Sequence, residues 1–258
     1  MKIRRILSLL LAVVLMVGCF AACKGEKGKV YAVEAGSAGE AVALTNGWKI
    51  NSVQAQADAL MEVAAGTSDA AVIDLLMAGA MIGEGTSYPD LKYTDKLTTE
   101  EYGAGCRKGS DLAKFINAVF YETQENGKLE DIATKYGVQE ALIDMPKAEY
   151  TESADGDVAY IKSKGKLVVG ITDFAPMDYK DEDGKWIGFD ADMARIVAEK
   201  LDVEIEFVVI DWDNKVLELD GKGIDVVWNG MTLTDAVKTA MECTNPYCNN
   251  AQVVVVKD

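Results

Sequence analysis

The sequence predicts an α/β protein built on open sheets. Short apolar runs alternate along the chain with longer segments of helical periodicity. Several of these runs end in polar or aromatic residues, and α/β proteins bind ligands beyond the carboxyl ends of their strands. The chain has 258 residues, 49% of them hydrophobic, which suits one large domain or two small lobes.

The N-terminal half contains strand-like runs and three helical segments. The strand-like runs are residues 30–33 and 70–73, and residues 101–107 are extended. The helical segments are residues 55–65, 112–123 and 129–136. Gly66 ends the first of these helices, and Gly127 separates the other two.

The C-terminal half carries stronger signals. Its predicted strands are residues 167–171, 204–209, 224–228 and 253–256. Asp190 can cap a helix that runs to Leu201, and Thr234 can cap a helix that runs to about Glu242. Asp183-Gly184 predicts a hairpin turn, and the polar residues 143–156 predict a linker between the two halves.

The N-terminus predicts a targeting segment. Basic residues precede an apolar run at residues 6–18, which is shorter than the roughly 20 residues needed to span a bilayer. Ala21-Ala22-Cys23 resembles a bacterial lipobox, so we expect a signal peptide over residues 1–22, a lipid-modified Cys23 and a spacer over 23–28. Cys19 is a second candidate for lipidation, and plain secretion is the alternative. One lipid would tether the chain and leave the rest in water.

Composition excludes several classes of function. The formal net charge of -16 repels phosphate backbones, so nucleic acid is excluded as a partner. The sequence has no His, the commonest general base and metal ligand. We therefore expect no catalytic residues, no metal and no cofactor. Residues 181–184 lack the ligand spacing of a calcium loop and are read as a solvated hairpin.

Three cysteines lie beyond the targeting segment. Cys106 is expected in a strand. Cys243 and Cys248 flank the Asn245-Pro246 turn and are close enough in sequence to pair in an exported protein. We favour the simpler interpretation, two small buried residues.

Polar and aromatic residues gather after the predicted strands and outline a candidate ligand site between two sheets. These residues are Gly36, Ser37, Ala38, Asp74, Thr172, Asp173, Phe174, Asp211, Trp212, Asn229, Gly230, Met231 and Thr232.

The residue types suggest an amino-acid-like ligand. Residues 36–39 and 230–234 each precede a helix, where free N–H groups and the helix dipole attract a carboxylate, although the first segment could be an ordinary tight turn. Asp74 lies among apolar residues and needs a partner, which a ligand ammonium would supply; the alternative is a surface or capping Asp. Phe174 and Trp212 could flank an apolar stem or a cation, or belong to the core.

Seven segments of the chain stand out as motifs. They are Gly188-Phe189-Asp190-Ala191-Asp192-Met193, Gly223-Ile224-Asp225-Val226-Val227, Gly230-Met231-Thr232-Leu233-Thr234, Asn245-Pro246-Tyr247, Gly36-Ser37-Ala38-Gly39-Glu40, Leu97-Thr98-Thr99-Glu100-Glu101-Tyr102-Gly103, and residues 126–136. These motifs resemble those of the family 3 extracellular solute-binding proteins, the receptors of polar amino acid ABC importers. The resemblance implies a two-lobed, periplasmic-binding-protein-like fold of type II, with two crossing strands and closure on the ligand.

The resemblance also implies roles for individual residues. Asp74 is similar to the acidic residue that takes the ligand's α-ammonium. Thr232 and the Gly230 carbonyl are similar to contacts from the first lobe, and Ser37 and the Ala38 amide to contacts from the second lobe to the α-carboxylate. Aromatic neighbours of the ligand are expected at Phe174 and Trp212. Asp173 lies where side-chain specificity is set, and Asn229 and Thr234 complete the predicted set.

One departure concerns the carboxylate. The family normally has an Arg three residues after the second Thr of the Gly-Met-Thr-x-Thr motif, where this chain has Val237 followed by Lys238. Loss of a bidentate Arg is not conservative. Either two helix N-termini hold the carboxylate alone, or the ligand is not an ordinary α-amino acid. Glu34 adds negative charge near the loop at Gly36.

A second departure concerns the order of segments, which predicts a circularly permuted fold. Residues 29–98 correspond to the second, smaller lobe, and residues 99–142 to a crossing strand and the closing helices. Residues 143–157 form a linker, and residues 158–258 form the first, larger lobe, ending on the other crossing strand. Permutation is tolerated where old termini lie close together. Fusion of two gene fragments is the alternative.

Together these features predict a secreted, lipid-anchored, monomeric binding protein on the outer side of the cell membrane. It would trap a small polar solute, most simply an amino acid, and deliver it to an ABC permease. Two alternatives remain: an enzyme on the same scaffold, such as a cyclohexadienyl or arogenate dehydratase, or a surface lipoprotein with a degenerate cleft.

Overall fold

The computed structural model describes residues 28–258. The expected signal peptide, both candidate lipidation sites (Cys19 and Cys23) and nearly all of the spacer lie outside the described residues. Within residues 28–258, every helix is too short or too polar to span a bilayer.

Strands and helices alternate along the described chain. The strands are β1 (Val30–Glu34), β2 (Lys49–Val53), β3 (Ala70–Asp74), β4 (Leu91–Tyr93), β5 (Glu100–Tyr102), β6 (Gly105–Cys106), β7 (Lys166–Ile171), β8 (Tyr179–Lys180), β9 (Trp186–Ile187), β10 (Glu204–Val209), β11 (Val226–Val227), β12 (Glu242–Cys243), β13 (Cys248–Asn250) and β14 (Gln252–Lys257). The α-helices are α1 (Ala38–Thr45), α2 (Gln56–Ala65), α3 (Leu75–Met81), α4 (Leu112–Glu125), α5 (Lys128–Tyr136), α6 (Asp157–Lys164), α7 (Phe189–Leu201), α8 (Lys215–Asp220) and α9 (Asp235–Ala240).

These elements build two five-stranded sheets. The first has the order β2-β1-β3-β14-β4, and we call the lobe built on it the small lobe. The second has the order β10-β7-β11-β6-β12, and its lobe is the large lobe. Each sheet has a parallel part, β2-β1-β3 or β10-β7-β11, and antiparallel strands at one side. The expected mixed α/β, two-lobed architecture is confirmed.

Both halves of the chain contribute to both sheets. β14, near the C-terminus, pairs with β3 and β4 in the small lobe, and β6, from the N-terminal half, pairs with β11 and β12 in the large lobe. The chain passes between the lobes through β5 and again through β13, and these two connecting strands pair with each other. Neither half can therefore complete its own sheet.

Buried charges join the halves within the large lobe. Arg107 follows β6 and donates to Asp157 at 3.0 Å, to Asp225 at 3.2 Å and to the Ile224 carbonyl at 2.7 Å. Asp225 is fully buried and also accepts from Lys164. A buried carboxylate is tolerated only with such partners.

The segmental predictions agree with the structure in most places. Thr234 caps α9, where its hydroxyl accepts from the Val237 amide, although the helix ends at Ala240. The hairpin at Gly184 joins β8 and β9. Cys106 is a buried strand residue, and the described cysteines are all free thiols, so Cys243 and Cys248 do not pair.

The predicted cap of α7 was wrong. Gly188, with φ 126°, occupies the N-cap position, and Asp190 is the second residue inside the helix. Its buried carboxylate accepts from the Gly230 amide at 2.6 Å and from the Tyr247 hydroxyl at 2.8 Å. Asp190 therefore stabilises a loop of the neighbouring strand rather than its own helix.

Candidate functional site

A cavity of about 330 Å³ lies between the two lobes. Its polar lining consists of Glu34, Ser37, Gln56, Asp74, Lys215, Asn229, Thr232 and Thr234, and its remaining lining of Gly36, Ala38, Ala41, Trp212, Val216, Gly230, Met231, Ala236, Val237 and Ala240. Residues 34–74 belong to the small lobe and residues 212–240 to the large lobe. The cavity lies beyond the carboxyl ends of β1, β3 and β11, as expected for open sheets.

The loop after β1 brings the lobes into contact. Ser37 caps α1, accepting from the Glu40 amide at 3.1 Å, while Glu40 accepts from the Gly36 amide at 2.8 Å. This reciprocal arrangement fixes the start of the helix. A Cβ on Gly36, whose φ is 70°, would lie 2.8 Å from the Asp213 Cα of the large lobe. Only glycine permits so close an approach in this left-handed conformation.

Asp74 ends β3 and is the centre of a buried hydrogen-bond network. Its carboxylate accepts from the Tyr102 hydroxyl at 2.7 Å, from Gln252 Nε2 at 3.0 Å, and from the side-chain amides of Gln56 and Asn250. Burial and the nearby Glu100 raise the pKa of Asp74 to about 7, while the hydrogen bonds lower it.

The loop after β11 forms the opposite wall. Gly230 has φ 55°, and a Cβ there would lie 2.4 Å from the Phe174 ring. Asn229 binds Thr172 through both of its side-chain atoms, at 2.8 and 3.0 Å. The Thr232 hydroxyl donates to Glu100 at 3.1 Å. Glu100 also accepts from Gln252 at 3.0 Å, so the networks of Thr232 and Asp74 meet at one glutamine.

Lys215 is the principal functional candidate that sequence reasoning missed. Its Nζ donates across the cleft to the Gly36 carbonyl at 3.1 Å and within its own lobe to the Trp212 carbonyl at 3.0 Å. The same Nζ lies 4.9 Å from the centre of the Trp212 ring. Burial lowers its pKa, opposed by the charges of Glu34, Asp213 and Glu40.

Glu34, at the end of β1, is the second ionisable group on the small-lobe wall. Its side chain is buried, and burial together with the charge of Asp74 raises its pKa to about 8. Hydrogen bonding by Thr172 and Gln56 and the charge of Lys215 act in the opposite direction. In the described part of the chain no group of His, Cys, Asp and Glu residues could hold a metal ion.

Comparison with known proteins relates the C-terminal part of the chain to one family. Residues 167–258 match the sequence model of the bacterial extracellular solute-binding proteins, family 3. This segment of the chain is similar to that family. The match lies in the C-terminal part of the chain, which carries the loop after β11.

Individual relatives cover part of the chain. L-cystine-binding protein TcyJ of Escherichia coli (strain K12) is 33% identical over 104 residues, 40% of this chain and 39% of the relative. Arginine-binding extracellular protein ArtP of Bacillus subtilis (strain 168) is 33% identical over 95 residues, 36% of this chain and 37% of the relative. A truncated, arginine-bound ArgBP from T. maritima is 41% identical over 31% of this chain and 39% of that structure, with a TM-score of 0.31. The chain thus spans about two fifths of the length of the curated relatives it matches.

The cavity has an apolar wall where the resemblance implies an arginine. Val237 lines the cavity, beside Ala236 and Ala240. Lys238 is absent from the cavity lining and does not replace the missing guanidinium. Lys215 is the only cation among the described residues that line the cavity.

Two of the ten predicted ligand-binding residues are absent from the cavity lining. Asp173 is exposed and lies in an adjacent groove of about 300 Å³, together with Asp58 and Lys180. Phe174 is buried, packs edge-on against Tyr102 with ring centres 6.3 Å apart, and supports Gly230 from behind. The other eight predicted residues surround the cavity.

The buried carboxyl groups predict an unusual pH dependence of stability. The pKa of Glu34 is raised to about 8, and those of Asp74 and Asp190 to about 7. Since these values exceed those of the unfolded chain, the folded state holds more protons between about pH 4 and pH 8. The stabilisation that these groups give the folded state is therefore complete below about pH 4 and is lost as the pH rises through 7 and 8. Each such group removes about 1.4 kcal/mol per pH unit from the unfolding free energy between its two pKa values.

We therefore expect the melting temperature of the ligand-free protein to fall between pH 5 and pH 8, as measured by circular dichroism. Glu34→Gln removes one of these groups and should flatten the decline. Glu84→Gln makes the same substitution at an exposed position and should leave the slope unchanged. A melting temperature that rises across this range in the wild-type protein would contradict the assignment.

Proposed function

We propose that this chain is the solute-binding component of an ABC importer. The observation that carries the proposal is the cavity between the lobes, in which Asp74 and Ser37 of the small lobe face Thr232 and Gly230 of the large lobe. A solute held there would touch both lobes. Binding would therefore favour the closed arrangement over an open one, as in a hinged trap.

The closed arrangement already has one direct link between the lobes. Lys215 Nζ reaches the Gly36 carbonyl, and a solute would add contacts on both sides of this bond. The connecting strands β5 and β13 supply a hinge because the chain passes between the lobes there. The volume of about 330 Å³ suits a small solute.

An amino acid is the simplest solute of the proposed class. Relatives are named as binding L-cystine and arginine, and the site offers carboxylates for an ammonium group. Ser37, Ala38, Thr232 and Thr234 lie at or near helix starts that would receive the opposite end of the ligand. The roles of Asp74, Asp173, Phe174, Trp212 and Asn229 remain predictions.

The cellular setting follows from the targeting segment and remains a proposal. We infer an extracytoplasmic, monomeric protein held at the membrane by a lipid on Cys23, delivering its solute to a permease. A catalytic role is disfavoured because the sequence has no histidine and an apolar Val237 replaces the arginine of the family.

Mass spectrometry of small molecules released from protein purified without denaturation tests the proposal. The expected result is one polar solute per chain, which then titrates the emptied protein with 1:1 stoichiometry and raises its melting temperature. Absence of any released solute, together with no shift across a panel of amino acids and amines, would overturn the proposal. Conversion of a carboxylic acid substrate into product would instead favour the dehydratase alternative.

The permuted order of segments is a separate proposal, supported by the small-lobe sheet. Tyr31 lies beside Ala70, and Val255 lies beside Ala71, so the start of β1 and the end of β14 lie at the same end of the sheet, two strands apart. Two strand spacings are about 10 Å, which a short loop can span.

A rearranged chain tests the proposal. It would run from residue 158 to 258, continue through a short glycine-serine loop into residue 29, and end at residue 142. We expect it to fold with a far-ultraviolet spectrum like that of the parent and to bind the same solute. A chain that remains unfolded with loops of several lengths would contradict the permuted interpretation.

A further inference from the structure

One residue that lines the cavity has a carboxylate oxygen without a hydrogen-bond partner. Glu34 lines the cavity with only 3% of its surface exposed, and its Oε1 accepts no hydrogen bond from the residues that the structure describes. A buried acceptor without a donor is costly, and a charged one more so. This oxygen therefore favours any ligand that brings a donor to it.

The carboxylate of Asp74, in contrast, already has a full set of hydrogen-bond donors. A carboxylate has about four lone-pair positions, and Asp74 accepts from four side chains, those of Gln56, Tyr102, Asn250 and Gln252. An ammonium that approached Asp74 would have to displace one of these donors. At Glu34 Oε1 it would displace none.

The charges around the cavity favour a cation. Two carboxyl groups, Glu34 and Asp74, face one ammonium, Lys215, among the described lining residues. Lys215 has three N–H donors, and two of them already bind the Gly36 and Trp212 carbonyls. Val237 makes the wall apolar where an arginine guanidinium would bind a ligand carboxylate. An anionic ligand would therefore face carboxylates with no arginine to pair with it.

We propose that the cleft selects small cations with a primary ammonium group, and that Glu34 Oε1, rather than Asp74, accepts the hydrogen bond from that ammonium. The inference rests on the proposed function, because it specifies the class of solute held in the same cleft. Asp74 contributes its negative field and the network that positions Gln56. Lys215 holds the lobes together and opposes excess negative charge.

Isothermal titration of the full mature protein tests the inference. The probes are putrescine and L-lysine as cations, L-serine as a neutral amino acid and L-glutamate as an acid. The variants are Glu34→Gln, which keeps the side-chain size, and Glu84→Gln, which makes the same substitution at an exposed position in the N-terminal half.

We expect at least one cation to bind the wild type at least tenfold more tightly than L-glutamate. Glu34→Gln should lower the affinity for that cation at least tenfold, while Glu84→Gln should leave that affinity unchanged. Equal binding of the cation by wild type and Glu34→Gln would overturn the inference, and so would a preference for L-glutamate.

The pH dependence gives a second readout that a merely structural role would not produce. Glu34 faces Asp74, Lys215, Gln56 and Thr172, and its raised pKa means that a bound cation must displace its proton. Affinity for the cation should therefore rise from pH 6 to pH 8 in the wild type and rise less in Glu34→Gln. A slope that is the same in both proteins would remove Glu34 from the cation site.

These outcomes separate the two proposals. Binding of L-serine with no binding of either cation would refute the cation site and leave the solute-binding function standing. Failure of every probe, together with absence of a co-purified solute, would refute both.

Discussion

Replacement of Asp74 by alanine is expected to lower the unfolding free energy by about 3 kcal/mol or more and to weaken solute binding at least tenfold. Asp74 is buried, and its carboxylate is the common acceptor for donors from three parts of the chain. Gln56 comes from α2, Tyr102 from β5, and Asn250 and Gln252 from β13 and β14. Alanine would leave these donors facing a gap at the hinge.

The donors have unequal alternatives. Asn250 and Gln252 can retain their bonds to Glu100, at 3.2 and 3.0 Å. The Gln56 side-chain amide can turn to Glu34, with which it also interacts. The Tyr102 hydroxyl donates to Asp74, so this buried donor loses most. A buried donor without a partner costs about 1–3 kcal/mol. Solute affinity falls because the same network orients the small-lobe wall of the cavity.

Chemical denaturation and calorimetric titration measure the two effects. Asp69→Ala is the matched control, since Asp69 precedes β3, is exposed, and its carboxylate accepts from the Val30 amide at 2.8 Å. We expect the unfolding free energy of that control to fall by under about 1 kcal/mol and its solute affinity to stay unchanged. An Asp74→Ala protein with unchanged stability would show that the network is not formed, and unchanged affinity would remove Asp74 from the site.

The sequence predicted correctly those features that depend only on neighbouring residues. The Thr234 cap, the Gly184 hairpin and the glycine that ends α2 each depend on a few neighbouring residues and lie where predicted. The strand ends were equally informative, because beyond a parallel strand the chain must turn towards the same edge of the sheet. Eight of the ten predicted ligand-binding residues line the cavity for this reason.

The alternation of side chains along a strand explains a limit of that reasoning. Thr172, just beyond β7, turns inward to bind Asn229. Asp173, the next residue, points to the other side, where it is exposed in the adjacent groove. Sequence proximity to a strand end places both residues at the edge but does not say which of the two faces the cleft.

Long-range contacts set the features that sequence reasoning missed. The short strands β6, β11 and β12 exist only as partners of one another across the sequence, with Cys106 pairing both Val226 and Glu242. From the sequence alone, Lys215 is an ordinary residue at the start of a helix. Its role depends on the Gly36 carbonyl, which belongs to the other lobe. The one available signal was its position three residues after Trp212, which the strand-end pattern already places in the site.

The second large effect is expected at Gly188. Gly188→Ala should lower the unfolding free energy on the order of 5 kcal/mol or more and prevent stable folding. Gly188 has φ 126° and ψ 172°, a combination that residues with a Cβ rarely adopt. A Cβ there would lie 2.0 Å from the Met177 carbonyl oxygen and 2.5 Å from its carbon. These are backbone atoms, which cannot rotate away as a flexible side chain can.

The surrounding backbone is itself fixed. The Phe189 amide donates to the Pro176 carbonyl at 3.0 Å, and the Asp190 amide to the Met177 carbonyl at 3.1 Å. A shift that relieved the clash would break these bonds and move Asp190. Since Asp190 holds the Gly230 amide, the loop that forms the large-lobe wall of the cavity would move with it.

Soluble yield, far-ultraviolet circular dichroism and urea denaturation measure the result. Gly184→Ala is the control, because Gly184 also has a positive φ, 76°, but a Cβ added to it would meet no atom within 4 Å. That variant should lose only about 1 kcal/mol, the strain of an alanine in the left-handed region. If Gly188→Ala were as stable as Gly184→Ala, the contact with Met177 would have to be absent in solution. The coupling of α7 to the site through Asp190 would then lose its structural basis.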